Sequence, residues 1–209
     1  MKKVIVILAL LLSVSLSARA LGPSLGLQLE VRAGGYMTVS PDEAKNMFGN
    51  GFLIGGSLRK AVFPMVKVGL SIDRISLNDN QAVQFADLSA QLQDELIVVS
   101  DDLDIEFTTT PVCLEIMLDP PILPLYAHAG YGLYKSKVTV KDEGSGTLLY
   151  DESKSRWGGF LGAGVKMGLP MLPLSFRVGA KYHMLRVDDS AMNDGIKAIS
   201  VDAGVRLNI

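Results

Sequence analysis

The stretch Ile199-Ser200-Val201-Asp202-Ala203-Gly204-Val205-Arg206-Leu207-Asn208-Ile209 decides the fold. Ile199, Val201, Ala203, Val205, Leu207 and Ile209 are all apolar. Ser200, Asp202, Gly204, Arg206 and Asn208 between them are polar or glycine. A period of two marks a strand with two different faces. The strand starts near Ile196, and its greasy alternation runs to the last residue. A strand that closes a barrel in lipid is expected to read this way.

The same period recurs upstream. Alternating segments fall at Leu25–Gly34, Phe52–Arg59, Val66–Asp73, Leu103–Leu118, Leu125–Tyr134, Phe160–Gly168 and Leu174–Met184. With the closing stretch they predict an all-β chain of eight strands. Ile105 and Phe107 are out of phase with Val112 and Leu114, which predicts a bulge near Pro111. The connections at Ser40–Asn50, Ser76–Asp102, Lys141–Ser155 and Asp188–Gly195 are long and polar. Those at Ala61–Pro64, Asp119–Pro124 and Pro170–Pro173 are short. Long and short alternate strictly, so every long one falls at the same end. The expectation is an eight-stranded antiparallel up-and-down transmembrane β-barrel with short periplasmic turns and long extracellular loops. Within Ser76–Asp102, Phe85, Leu88, Leu92 and Leu96 fit a short amphipathic helix as well as a loop. Pro121-Ile122-Leu123-Pro124-Leu125 and Pro170-Met171-Leu172-Pro173-Leu174 repeat one another, each a turn feeding a strand.

Composition narrows the class. The 209 residues suit one domain, and a net charge of −2 gives no electrostatic case for nucleic acid. Beyond the first twenty residues no uncharged apolar run is long enough for a membrane helix. Met1–Ala20 reads as a secretory signal: Lys2 and Lys3, an apolar core from Val4 to Leu12, then Ala18-Arg19-Ala20 at the cleavage positions. The barrel domain is then residues 21–209, in the outer membrane. Cys113 is the only cysteine, so no internal disulfide forms.

Alternation alone does not say which face looks out. A soluble, lipocalin-like barrel puts its apolar row inside. Here the other row carries glycines (Gly34, Gly55, Gly69, Gly130, Gly132, Gly162, Gly164, Gly179, Gly204) and charges of both signs. Small residues suit a narrow interior, and an eight-stranded interior is one that side chains just fill. The ion row is therefore expected inside. Glu30, Glu115 and Asp202 are expected to pair there with Arg32, Arg177, Lys181 or Arg206.

On these residues the chain resembles the OmpA-like eight-stranded outer-membrane β-barrel domains. Thr109-Thr110-Pro111-Val112-Cys113-Leu114-Glu115, a turn, then Leu125-Tyr126-Ala127-His128-Ala129-Gly130-Tyr131-Gly132-Leu133-Tyr134 is similar to that family's strand-turn-strand centre. Asp202, Gly204, Leu207 and Ile209 fit its C-terminal insertion signal, polar-x-Gly-x-x-apolar-x-apolar, with Ile209 where the family usually ends in an aromatic. Phe52, Phe176 and Tyr182 are the girdle candidates. The resemblance implies contact with outer-membrane lipid and lipopolysaccharide, and with the barrel-assembly machinery during insertion.

Nothing nominates catalysis, a cofactor or a metal. His128 and His183 fall on the inward face, where bonding to neighbouring polar groups is expected. Cys113 reads as a buried, inert thiol. Asp188, Asp189 and Asp194 match no calcium-loop spacing. Gly158-Gly159-Phe160-Leu161-Gly162-Ala163-Gly164 lies in a strand pattern, not before a helix, so it is no phosphate-binding turn. The expected role is non-enzymatic: a barrel presenting outer loops to an extracellular ligand. A small conduit, a lipid-modifying enzyme and a soluble binder of an apolar ligand remain the alternatives.

Overall fold

A computed structural model describes residues 26–40, 48–79, 103–142, 147–169, 172–186 and 195–209. Eight strands run β1 Leu27–Ser40, β2 Phe48–Phe63, β3 Val66–Asp79, β4 Leu103–Leu118, β5 Leu125–Asp142, β6 Leu148–Gly168, β7 Leu174–Leu185 and β8 Ile196–Asn208. Each pairs antiparallel with its chain neighbours, and β1 pairs with β8, so the sheet closes into a barrel. Closure leaves no strand edge with unpaired backbone groups, as lipid requires.

The two faces sort as the alternation predicts. On β7, Phe176 and Val178 are 46% and 51% exposed, whereas Arg177 and Lys181 are each 1%. Leu58, Leu70, Leu114 and Leu161 likewise point out, and Glu30, Arg59 and Asp202 point in. A soluble barrel would have these rows reversed. Leu207, in the outward row, is nonetheless covered, beside its register partners Leu29 and Leu174.

The strands are longer than the apolar alternation. β6 has 21 residues, about twice the 9–11 or so that cross a membrane. The expected loop Lys141–Ser155 is mostly strand: β5 continues to Asp142, β6 starts at Leu148, and Lys135 pairs with Ser155. Its exposed residues there mix Leu148, Leu149 and Tyr150 with Asp151, Ser153, Lys154 and Ser155, so the two faces no longer contrast. For the same reason Ser40 belongs to β1, Phe48–Asn50 to β2 and Ser76–Asp79 to β3. The connection expected at Ala61–Pro64 narrows to a turn at Pro64-Met65. Residues 41–47, 80–102, 143–146 and 187–194 lie outside the described residues, and with them the helix expected around Phe85–Leu96 and the Asp188–Asp194 cluster.

No bulge forms at Pro111. The β4–β5 register runs unbroken from Leu103↔Asp142 to Leu118↔Ala127. The β3–β4 ladder skips Asp73 and Arg74 but resumes in the same register at Ile75↔Thr109. A proline lacks the N–H that the ladder needs, so it opens a gap without shifting the pairing. Phe107 is out of the apolar phase because it is an inward residue, packed against a cluster inside the barrel.

Candidate functional site

The lumen is the candidate site, and it has two layers. Toward the short-turn end lies an ion cluster centred on Glu30. Its Oε1 accepts from Arg32 Nη1 at 2.9 Å and lies 3.0 Å from Arg177 Nη1. Its Oε2 accepts from Arg59 Nη1 at 2.9 Å and Arg206 Nε at 2.8 Å. One carboxylate thus serves four guanidiniums. Around it, Asp73 takes Arg32 Nε at 2.9 Å and Lys181 Nζ at 3.0 Å, and Asp202 takes Arg177. Glu115 accepts from Arg59 Nη2 at 3.0 Å and meets His128 Nδ1 at 2.5 Å. Tyr126 lies under two of the cations, 4.3 Å from Arg206 and 5.1 Å from Arg177 at the ring centre.

All seven expected interior residues, Glu30, Arg32, Glu115, Arg177, Lys181, Asp202 and Arg206, are buried here. The pairing differs from the expectation in two places. Glu115 bonds Arg59 and His128, and Lys181 bonds Asp73. Asp73 and Arg59 were visible as inward charges; their role was not, because barrel stagger decides who meets across the lumen. Asp73 and Lys181 are 108 residues apart in the chain.

Two more lysines of the inward row sit at the rim. Lys67 and Lys166 are 16% and 15% exposed and share Asp119 on the β4–β5 turn, Lys67 at 2.5 Å. Burial by itself raises the Asp119 carboxyl, but hydrogen bonds from Lys166 and Lys67 outweigh it and hold the group below the usual carboxylate range.

Toward the other end the inward row turns apolar. Tyr36, Leu53, Ile75, Leu77 and Ala198 form one buried cluster, with Phe107 against it. Cys113, Tyr134, Phe160 and Leu185 form a second, with Ile196 against it. Glycine makes room for the rings. A Cβ at Gly164 or Gly179 would collide with the Tyr126 hydroxyl, and one at Gly130 with Phe160. The expected all-polar interior is therefore polar in one half only. The signal was present: Leu53 interrupts the inward row of β2, and Ile75 lies where β3 runs past the expected end at Asp73.

Between the layers His183 is fully buried, its Nδ1 3.2 Å from Tyr134 Oη and its Nε2 3.0 Å from Ser200 Oγ. A serine–histidine contact thus exists that no sequence spacing announced. Both residues are 0% exposed, so no substrate reaches the hydroxyl. Cys113 is buried and free. Among the described residues no group of His, Cys, Asp and Glu is arranged to hold a metal ion.

The family model of the outer membrane protein beta-barrel domain matches residues 6–208, nearly the whole chain. The chain belongs to that family. Its short-turn end is accordingly periplasmic and its far end external. Among solved structures, Neisserial surface protein A is similar, with a TM-score of 0.52, 13% identity, and coverage of 90% of this chain and 100% of that one. That likeness bears on the fold. Ail, the attachment invasion locus protein of Yersinia pestis, has a TM-score of 0.47 and 14% identity, covering 87% of this chain and 98% of its own. The N-terminal β-barrel domain of Pseudomonas aeruginosa OprF has a TM-score of 0.46 and 13% identity, covering 90% and 100%. A search of curated sequences finds no match.

The outer-membrane barrel carries an aromatic girdle richer than expected. Phe52 and Tyr182 face outward, and so do Tyr131 and Trp157, stacked with centroids 5.5 Å apart and planes 11° from parallel. Rings with one wet edge favour the membrane boundary. Phe176, also exposed, lies toward the periplasmic end of β7. Of the insertion-signal residues, Asp202 is buried beside Arg177, Gly204 pairs with Arg32 and Arg177 in the ladder, and Leu207 pairs with Leu29 and Leu174. Ile209 exchanges both backbone hydrogen bonds with Leu27, at 2.8 and 3.1 Å.

Proposed function

We propose that this outer-membrane barrel is a non-enzymatic scaffold that holds its external connections at the cell surface, with a closed lumen. The observation that carries this is the filling of the lumen: Arg32, Arg59, Arg177, Arg206, Tyr134 and Lys181 are among its largest fully buried side chains. The five cations are locked in ion pairs with Glu30, Asp73, Glu115 and Asp202, and the layer of Tyr134 and the Leu53–Ile75 cluster roofs them. A permeant ion would have to break paired buried charges, each costly to leave alone. The test is planar-bilayer recording of the refolded chain. Absence of a unitary conductance fits the scaffold. A conductance whose size changes in Leu53→Ala or Ile75→Ala would replace it with a conduit.

The enzyme alternative is disfavoured because the Ser200–His183 pair is sealed inside. Overproduction should leave lipid A unchanged by mass spectrometry; a modified lipid A that disappears in Ser200→Ala would reverse that reading. We further take the mature chain to begin near Leu21, after Ala20, and Asp202, Gly204, Leu207 and Ile209 to serve the assembly machinery as the insertion signal. Mass measurement of the membrane-extracted protein checks the first. Loss of the heat-shifted form in cells on Leu207→Asp, with refolding in detergent preserved, checks the second.

A further inference from the structure

The outward wall of β3–β6 changes character abruptly. Ile72, Val112, Leu133 and Trp157 share one rung of the ladder, and all are exposed to lipid. Two residues further out on the same strands stand Arg74, Thr110, Lys135 and Ser155, the latter three register partners. The next rung is Ser76, Thr108, Lys137 and Ser153. Acids enter only on the third, where Glu106 and Asp151 flank Thr139. Each rung adds about 5 Å of height, the two-residue strand rise of about 6.7 Å at a tilt of about 40°. Along each strand the donors and cations therefore come within about 10 Å of the apolar rung, and the carboxylates of β4 and β6 come one rung further out.

The donors also enclose space. Arg74, Thr108, Thr110, Lys135, Lys137 and Thr139 line a groove of 340 Å³ on this wall, with Glu106 the one carboxylate in its lining. The carboxylates at the groove pair with its cations only at the exposed surface, where an ion pair is worth little. Glu106 is 4.0 Å from Arg74, with both side chains more than half exposed, and Lys137 is 3.0 Å from a half-exposed Asp151. Lys135, between them, has no ion pair among the described residues.

We propose that this groove binds the phosphate of an outer-leaflet membrane lipid. The apolar rung beneath supplies the acyl contact: Ile72, Val112 and Leu133 touch the chains, and the stacked Tyr131–Trp157 pair sits at their upper edge. Arg74 and Lys135 meet the phosphate at the height where a lipid carries it, and the Thr108 and Thr110 hydroxyls donate to its remaining oxygens. An ammonium and a guanidinium beside a phosphate form the stronger, charge-assisted kind of hydrogen bond. A soluble phosphate or phosphosugar has the same head chemistry but gains nothing from the apolar rung. The proposal rests on the membrane placement of the barrel, not on the role of its loops.

The test is native mass spectrometry of the refolded chain in an uncharged maltoside, titrated with bis-phosphorylated lipid A, with dephosphorylated lipid A and with inorganic phosphate. The expected result is saturable binding of the phosphorylated lipid alone. Arg74→Gln/Lys135→Gln/Lys137→Gln should weaken it on the order of 100-fold, the combined effect of three cations at an anionic surface. Lys60→Gln, an outward cation at the periplasmic end of β2, should leave it unchanged. A heat-shift gel confirms that each variant is closed and so separates loss of the site from loss of the barrel; Lys135→Gln alone, expected to weaken binding about fivefold, serves if the triple variant fails to close. Equal binding of the dephosphorylated lipid, equal binding of inorganic phosphate, or full affinity in the closed variants would overturn the proposal.

Discussion

At the periplasmic end of the lumen, Glu30 stands among four guanidiniums; at the outer end, Leu53 and Ile75 pack against Tyr36 and Ala198. Both sets occupy the same inward row of the same strands. The ionic half is stable only while its charges remain mutually paired and sheltered, since a buried charge left alone is costly. The apolar half carries no charge in its clusters, packs mainly by contact with one hydrogen bond between Tyr134 and His183, and lies between the ions and the external end. The division teaches that inward does not mean polar in so small a barrel. It means whatever fills the section at that height.

Substitutions in the two halves should fail in different ways. Glu30→Ala removes the hub from four cations and is expected to have the largest effect, about 3–5 kcal/mol in denaturant unfolding of the detergent-folded protein. Glu115→Ala, which strands only Arg59 and His128, should lower the unfolding temperature by less. Equal stability of either variant and the parent would show the ion cluster to be unimportant. Ile75→Ala leaves a cavity in the apolar half and should cost about 2–3 kcal/mol, independent of salt and pH. If its effect changed with ionic strength as that of Glu30→Ala does, the two halves would not be separate.

Gly179→Ala tests the contact at the base of the ionic half. The added methyl meets the Tyr126 hydroxyl, and displacing that ring disturbs the stacks with Arg177 and Arg206. The expected cost is about 1–3 kcal/mol, and Tyr126→Phe combined with it should recover part of the loss. No recovery in the double variant would place the strain elsewhere.

The smallest effect is at the periplasmic rim. The Asp119 carboxyl sits lower in the folded protein than in the unfolded chain, so its stabilisation is present above its unfolded value, about 4. That contribution is lost as pH falls through the folded value. Asp119→Asn should therefore unfold more readily than the parent at neutral pH, with the difference shrinking below about pH 4. A difference constant across that range would remove the Lys67–Lys166 bridge as its cause.

Fold and faces were legible because a bilayer enforces alternation along every strand that crosses it. The legible portion ends where the bilayer ends. Lys135, Lys137, Ser153 and Ser155 belong to paired strands, but with water on both sides the row carries no contrast. Pro111 misled for a related reason. Phe107 looked out of phase because it is an inward residue packed against the apolar layer. Burial of Glu30 and Asp202 could be read from the alternation, but the partners of Glu115 and Lys181 could not, since the stagger of a closed sheet is not written in any local pattern. The His183–Ser200 contact is hidden in the same way. β7 and β8 pair side by side, but the stretch 187–194 separates them in the chain.

Spin labels on the outward row of β7 test the central assignment most directly. In a Cys113→Ser background, single cysteines at Phe176, Val178, Ala180 and Tyr182 are labelled, and the barrel is placed in lipid vesicles. The account predicts frequent collision with dissolved oxygen and little with a water-soluble nickel chelate at all four, deepest at Val178 and Ala180. Labels that collide with the chelate, or that are sheltered from both reagents inside the protein, would contradict it.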